Sequence, residues 1–177
     1  MPELTLTDGQ YKEILRLARY YRREAERCRE SKAFLAGCVM TGAALESMLL
    51  AIANCFPEEA LSSKLAPRRG GAVKPLVDWS LAHLLSVTKE RGWLPSGLSL
   101  DDEWDDARAE IADYAEVIRQ IRNLIHPSRY AEGFLGKRIT KRYLESSFEI
   151  LDAANDFLMN KVAATLERAR EEEERRA

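Results

Sequence analysis

The residues of this sequence that could carry acid–base or phosphate chemistry lie close together in one stretch, RQIRNLIHPSRY, at residues 119–130. The stretch contains Arg119, Arg122, Asn123 and His126, and His126 is one of only two histidines in the chain. An imidazole can transfer protons near neutral pH, and guanidinium groups bind and stabilise phosphate charge. We therefore take this stretch as the candidate catalytic site.

The spacing of these residues brings their side chains together if the stretch is helical. Arg119, Arg122 and His126 are three and four residues apart, so they share one helical face, and Asn123 lies on the edge of that face. We expect Pro127 to end the helix at His126. The acidic run DDEWDD suits the start of the same helix, because carboxylates are favoured at a helix N-terminus. Apolar residues recur at steps of three and four along the predicted helix: Trp104, Ala107, Ile111, Tyr114, Ile118, Ile121 and Ile125.

Glu46 is the second unusual residue, because it is the only charge between Lys32 and Glu58. An unpaired buried carboxylate is very costly, so Glu46 should reach solvent or pair with a cation. Arg122 and Arg119 are the natural partners if the two helices pack together. Such a pair has two interpretations, a structural link between helices or a carboxylate that orients a functional arginine.

The residues alone also allow ordinary structural roles for the rest of this group. His126 could bond a free carbonyl at the helix end, and Asn123 could bond the local backbone. His83 stands in the apolar run SLAHLLS, which predicts a packed histidine without polar neighbours. Spacing alone favours these structural roles over catalysis for Glu46, Arg122, Asn123 and His126.

Composition indicates one soluble globular domain. The chain has 177 residues, of which 46% are hydrophobic and 32% charged. The net charge of −2 excludes a positive potential over the whole protein that would attract nucleic acid, although it does not exclude a local basic patch. Residues 33–56 are apolar, but Glu46 interrupts them after thirteen residues, which predicts a buried bundle helix rather than a membrane span.

The remaining sequence signals predict a cytoplasmic protein without a cofactor or metal. No signal-peptide pattern opens the chain. The three cysteines lack zinc-ligand spacing and are expected to be reduced thiols. RRGG at residues 68–71 lacks the strand–loop–helix context of a phosphate-binding loop.

We predict an all-α, up-and-down bundle of four to five main helices in a single domain over residues 1–177, with its core at about 8–166 and a charged tail at 167–177.

Thr7 and Gln10 match a capping box that starts the first helix. Ser31 is expected to cap the second helix and Asp78 the third. Residues 57–77, rich in proline and glycine, should form a loop with a short helical turn, and no strand pattern is evident. The fifth helix should start near Thr140, after a loop at 128–138, with a solvated, fraying end.

The motif RQIRNLIHP, in which a long helix ends in Arg-Asn-x-x-His, resembles that of the HEPN superfamily (higher eukaryotes and prokaryotes nucleotide-binding domain). GAALESMLL on the second helix and DWSLAHLL on the third are similar to bacterial HEPN-like proteins of unassigned function, and the resemblance covers residues 8–166. The family pattern is an arginine, often followed by a polar residue, with four to six residues before the histidine. Arg119 has the spacing and Arg122 has the Arg-Asn dipeptide, so either arginine could be the functional one.

The resemblance implies a metal-independent endoribonuclease of toxin or defence type, active as a homodimer with a composite Arg/His site at the dimer interface. It implies that His126 transfers protons, that Arg119 or Arg122 stabilises the phosphorus transition state, that Asn123 positions a phosphate oxygen or His126, and that Glu46 orients the arginine. RNA is the implied partner, and an antitoxin or another protein is a further one. The basic residues that follow the motif could track an RNA backbone: Arg129, Lys137, Arg138, Lys141 and Arg142.

A non-catalytic HEPN-like module, acting as a dimeric interaction or scaffold protein, is the alternative from a different class. The sequence pI of 5.8 and the lack of an aromatic stacking platform favour it.

Overall fold

A computed structural model of the protein describes residues 4–98, 102–103, 105–133 and 138–176. These residues form an all-α helical bundle, as predicted. Its helices are α1 (Asp8–Glu30), α2 (Phe34–Cys55), α3 (Pro57–Leu61), α4 (Leu81–Glu90), α5 (Ile111–Asn123), α6 (Pro127–Gly133) and α7 (Lys141–Arg176).

The connection between α3 and α4 contains structure that the sequence did not predict. Two short antiparallel strands, β1 (Arg68–Arg69) and β2 (Ala72–Val73), form a hairpin, and a 3-10 turn follows at Leu76–Asp78. Gly70 and Gly71 have φ values of 58° and 83°, which a two-residue hairpin turn requires and glycine adopts without strain. The predicted short helical turn in this region is present as α3.

Helix α2 lies at the centre of the bundle, where α1, α4, α5 and α7 all pack against it. Leu45 and Leu49 are completely buried there. Its glycines let neighbouring helices approach closely: a Cβ built on Gly37 would lie 2.6 Å from a methyl carbon of Leu144 on α7. By length and composition α2 is the one helix among the described residues that could cross a membrane. However, 61% of its most apolar stretch is buried inside the bundle. The cytoplasmic location stays a prediction.

Two predicted caps are corrected by the structure. The Ser31 hydroxyl donates to the Arg27 carbonyl at 2.9 Å, so Ser31 ends α1 rather than starting α2. Ser80, not Asp78, is the N-cap of α4, and the ring of His83 completes its capping box. The Nδ1 atom of His83 lies 3.1 Å from the Ser80 backbone nitrogen, so this histidine has polar partners, contrary to the prediction. The Thr7–Gln10 box is confirmed.

Three helix boundaries also differ from prediction. Helix α5 begins at Ile111, and residues 105–108 form turns, so the acidic run does not start it; Trp104 lies outside the described residues. Residues 128–133, predicted as part of a loop, belong to α6, which starts at Pro127 because proline suits a first helical position. Helix α7 continues to Arg176, so the charged tail is solvent-exposed, as predicted, but helical.

Candidate functional site

The candidate site lies where α5 ends and α6 begins. Helix α5 ends at Asn123, three residues before the predicted end, so His126 does not share a helical face with Arg119 and Arg122, contrary to the prediction. The His126 carbonyl accepts the Tyr130 N–H at 3.1 Å in the first turn of α6. His126 is exposed, and its ring forms no hydrogen bond or ion pair with any residue in the described part of the chain. The His126 ring therefore does not act as a helix-end cap and is available to solvent.

Arg122 is held by a carboxylate from another helix. Its Nη2 lies 2.8 Å from Oε2 of Glu46, which is one of the two pairings that the lone charge on α2 predicted. The other Glu46 oxygen accepts the Leu81 N–H at 2.8 Å, at the start of α4. Gly42 makes room for the arginine, because a Cβ there would lie 3.0 Å or less from the Arg122 Cβ and Cδ. Glu46 thus joins α2, α4 and α5 through one carboxylate.

Arg119 has a different partner and a different environment. Its Nε donates to Glu116 at 2.7 Å within α5, and this bond raises the pKa of the guanidinium. The side chain lines a cavity of about 600 Å³ that Lys89 and Gln120 also line. The structure therefore assigns Glu46 to Arg122 and not to Arg119.

Both arginines have unused donors, but to different extents. Arg119 uses Nε and Nη2 on the same Glu116 oxygen. Arg122 uses Nη2 on Glu46, so its Nε and Nη1 are not engaged by the described residues. Asn123 is half-buried, and its backbone carbonyl accepts the His126 N–H at 3.0 Å while its side chain has no partner among the described residues. The arrangement offers a free imidazole and a guanidinium already held in place.

The link between Glu46 and Arg122 leads to a stability prediction. Since both side chains are about a quarter exposed, we expect a coupling energy of about 1 kcal/mol between Glu46→Gln and Arg122→Met in a double-mutant cycle. Urea unfolding followed by far-UV circular dichroism would measure it. The exposed Glu13–Arg16 pair on α1 is the control, and it should show no measurable coupling. Equal coupling in the two cycles would contradict a structural link at Glu46.

The sequence analysis missed the most heavily bonded carboxylate of the described chain, Asp113. Its side chain is 2% exposed and binds the ammonium of Lys89 at 2.5 Å. It also accepts the hydroxyl of Ser96 at 2.8 Å and the backbone N–H groups of Gly97 and Glu110 at 2.9 and 3.0 Å. Asp113 thereby fixes the start of α5 and the segment that precedes it.

The pKa of Asp113 reflects these contacts. Burial raises it, but the Lys89 ammonium and the hydrogen-bond donors lower it by more, to about 2. The sequence signal for the role of Asp113 at the start of α5 is its spacing from Glu110, with which it forms the capping box of the helix.

Among the described residues, no group of three or more His, Cys, Asp or Glu side chains is placed to hold a metal ion. The three cysteines are free. In comparisons with protein-family models, with curated proteins and with solved structures, nothing matches the chain. The resemblance to HEPN proteins thus stays a prediction from the sequence motif.

Proposed function

We propose that this chain is a HEPN-type, metal-independent endoribonuclease of toxin or defence type that acts in the cytoplasm as a homodimer. The observation that carries the proposal is the imidazole of His126, which is exposed, has no partner among the described residues and lies in the bend that connects α5, the helix of Arg122, to α6. An accessible imidazole and a guanidinium that is held in place are the two groups that phosphodiester cleavage by proton transfer and charge stabilisation requires.

In the proposed reaction the ribose 2′-hydroxyl attacks the adjacent phosphorus, and the bond to the 5′-oxygen of the next nucleotide breaks. His126 transfers the proton of the attacking or leaving oxygen. The products are a 2′,3′-cyclic phosphate and a 5′-hydroxyl end. Arg122 stabilises the charge on the phosphorane oxygens through Nε and Nη1, which bond to no described residue, and Glu46 orients the guanidinium.

An apolar surface beside the site supports a dimer. Ile125 directly precedes His126 and is 53% exposed. With Phe34, Leu35 and Met40 it lines a shallow apolar depression. A second copy covering this surface would bring two His126 rings into one cleft and remove the exposed apolar area from water.

Arg122 is the better candidate of the two arginines for phosphate contact. It is held from outside its own helix, so its position is set before substrate binds. Arg119 is paired within α5. RNA would approach along the basic residues after the motif, of which Lys137 lies outside the described residues and Arg129 and Lys141 are paired with Glu132 and Glu145.

A second function, a non-catalytic dimeric interaction or scaffold module, is favoured by one observation. Both arginines are bound to carboxylates of their own chain, Glu46 and Glu116, which neutralise their charge. In this case the same apolar surface binds a second copy or an antitoxin-like partner, and no RNA is cleaved.

The purified protein is expected to cleave single-stranded RNA equally well with and without EDTA, leaving 2′,3′-cyclic phosphate ends. End-group analysis of the products measures this directly, and expression in a bacterial host should slow growth and degrade cellular RNA. The mechanism is wrong if chelation stops cleavage or if the products carry 3′-hydroxyl ends. Intact RNA in both experiments would support the scaffold function.

A further inference from the structure

A second candidate site lies on the side of the bundle formed by α1, α2 and α7, and no residue of the proposed ribonuclease site contributes to it. Helices α1 and α7 both pack on α2 and leave a groove of about 510 Å³ between them. Its floor is apolar, with Ala51 and Ile52 of α2 buried beneath it, and Leu15 and Met159 line its walls. Cavities of this size with mostly apolar walls and a few polar groups are typical of small-ligand sites.

The two ends of the groove differ in charge. Towards one end, Arg19 is exposed, and its guanidinium contacts only the Leu15 carbonyl, at 3.3 Å, with no carboxylate partner among the described residues. At the other end, the Tyr11 hydroxyl and the Cys55 thiol lie 3.2 Å apart. The hydrogen bond with Cys55, together with burial, raises the pKa of Tyr11 to about 12, so the Tyr11 hydroxyl is neutral at neutral pH.

The width and length of the groove limit what can enter it. Arg22 of α1 bonds Asp152 of α7 in a two-pronged ion pair, with Nη2 3.1 Å from Oδ2, so a single pair of side chains spans the gap. A helix, with an overall diameter of about 10–12 Å, does not fit through such a gap. Tyr11 and Arg19 are separated by about 12 Å along α1, at 1.5 Å per residue, which suits an extended apolar chain.

We propose that this groove binds an amphipathic carboxylate, such as a medium-chain fatty acid. The alkyl chain lies on Ala51 and Ile52 and points towards Cys55, and the carboxylate binds the guanidinium of Arg19. Charge complementarity at one end and apolar contact along the rest define this ligand class.

Dodecanoate, used below its micellar concentration, is the probe, and Cys55 provides the readout. Cys55 is exposed in the groove, whereas Cys28 is half-buried outside it and serves as an internal reference. Dodecanoate should saturably slow the reaction of Cys55 with N-ethylmaleimide, as measured by peptide mass spectrometry, without slowing that of Cys28. Shortening the chain by two methylenes should weaken binding roughly fourfold, because each half-buried methylene loses its transfer free energy.

Matched arginine variants test the role of the charge at the Arg19 end of the groove. Arg19→Gln should weaken dodecanoate binding about threefold to tenfold, since a charge-assisted hydrogen bond is lost. Arg16→Gln, on the same helix but paired with Glu13 and not in the groove, should leave binding unchanged. Met159→Trp should abolish binding by filling the groove, and Met159 is 52% exposed, so the core is not strained.

Protection of Cys55 by dodecanol as strong as that by dodecanoate, or an unchanged affinity in Arg19→Gln, would overturn carboxylate recognition. No saturable protection of Cys55 would overturn the site itself. Because none of these variants touches His126 or Arg122, the result is independent of RNA cleavage.

Discussion

Replacement of His126 by alanine should lower the rate of RNA cleavage by about 10²- to 10⁴-fold, the usual contribution of a positioned general acid or base. The stability of the fold should not change, because the ring is exposed and bonds to no described residue. Single-turnover cleavage of a defined single-stranded RNA, together with thermal unfolding of the same samples, separates the two effects. A His126→Ala variant that cleaves like the wild type removes the chemical basis of the ribonuclease proposal.

Arginine variants make this test specific to the site. Arg122→Ala should lower cleavage by about 10²- to 10³-fold, the cost of removing one preorganised donor, whereas Arg119→Ala should have a smaller effect. The Glu13–Arg16 pair has the same i,i+3 spacing as Glu116–Arg119. Arg16→Ala therefore controls for the loss of a helical ion pair far from the site. A larger loss in Arg119→Ala than in Arg122→Ala would transfer the phosphate role to Arg119.

The parts of the fold that local chemistry determines could be predicted from the sequence. The Thr7–Gln10 capping box and the inward face of α7, with Leu144, Leu151 and Leu158 buried, follow from short-range spacing. The start of α5 could not be predicted, because the acidic and apolar residues before Ile111 imitate a helix that extends further back. The actual start depends on Asp113 and its contacts with Lys89 and the chain near Gly97, which are distant in sequence.

In the candidate site, too, some contacts could be predicted from the sequence and others could not. The pairing of Glu46 with an arginine of α5 was predictable, because a lone charge on a buried helix needs a cation, but the choice of Arg122 over Arg119 was not. The partner of Arg119 was missed because Glu116, three residues earlier on the same helix, competes for it. The role of His83 was missed because histidine is an unusual capping residue, and its apolar sequence neighbours do not indicate the nearby Ser80 backbone. The dimer and the RNA substrate stay predictions, since a single chain carries no partner contacts.

Replacement of Asp113 by alanine should destabilise the protein by about 3–5 kcal/mol, the largest stability effect that we expect. The change removes a buried carboxylate and leaves the Lys89 ammonium, whose side chain is 15% exposed, without its partner. It also leaves the N–H groups of Gly97 and Glu110 without an acceptor. Urea unfolding measures the loss, and Glu13→Ala, which removes an exposed paired carboxylate, should cause no measurable change.

The pH dependence of this stabilisation has a definite sign. The pKa of Asp113 is about 2 in the folded protein against 3.8 for the unperturbed carboxyl, so the folded state favours the charged form by about 2 kcal/mol. This contribution is complete above about pH 5 and is lost as the pH falls through the folded pKa of about 2. In Asp113→Asn the loss should be absent, so the difference in unfolding free energy between wild type and variant should shrink over this range. A difference that stays constant from neutral pH to pH 2 would contradict an ionised, ion-paired Asp113 at the start of α5.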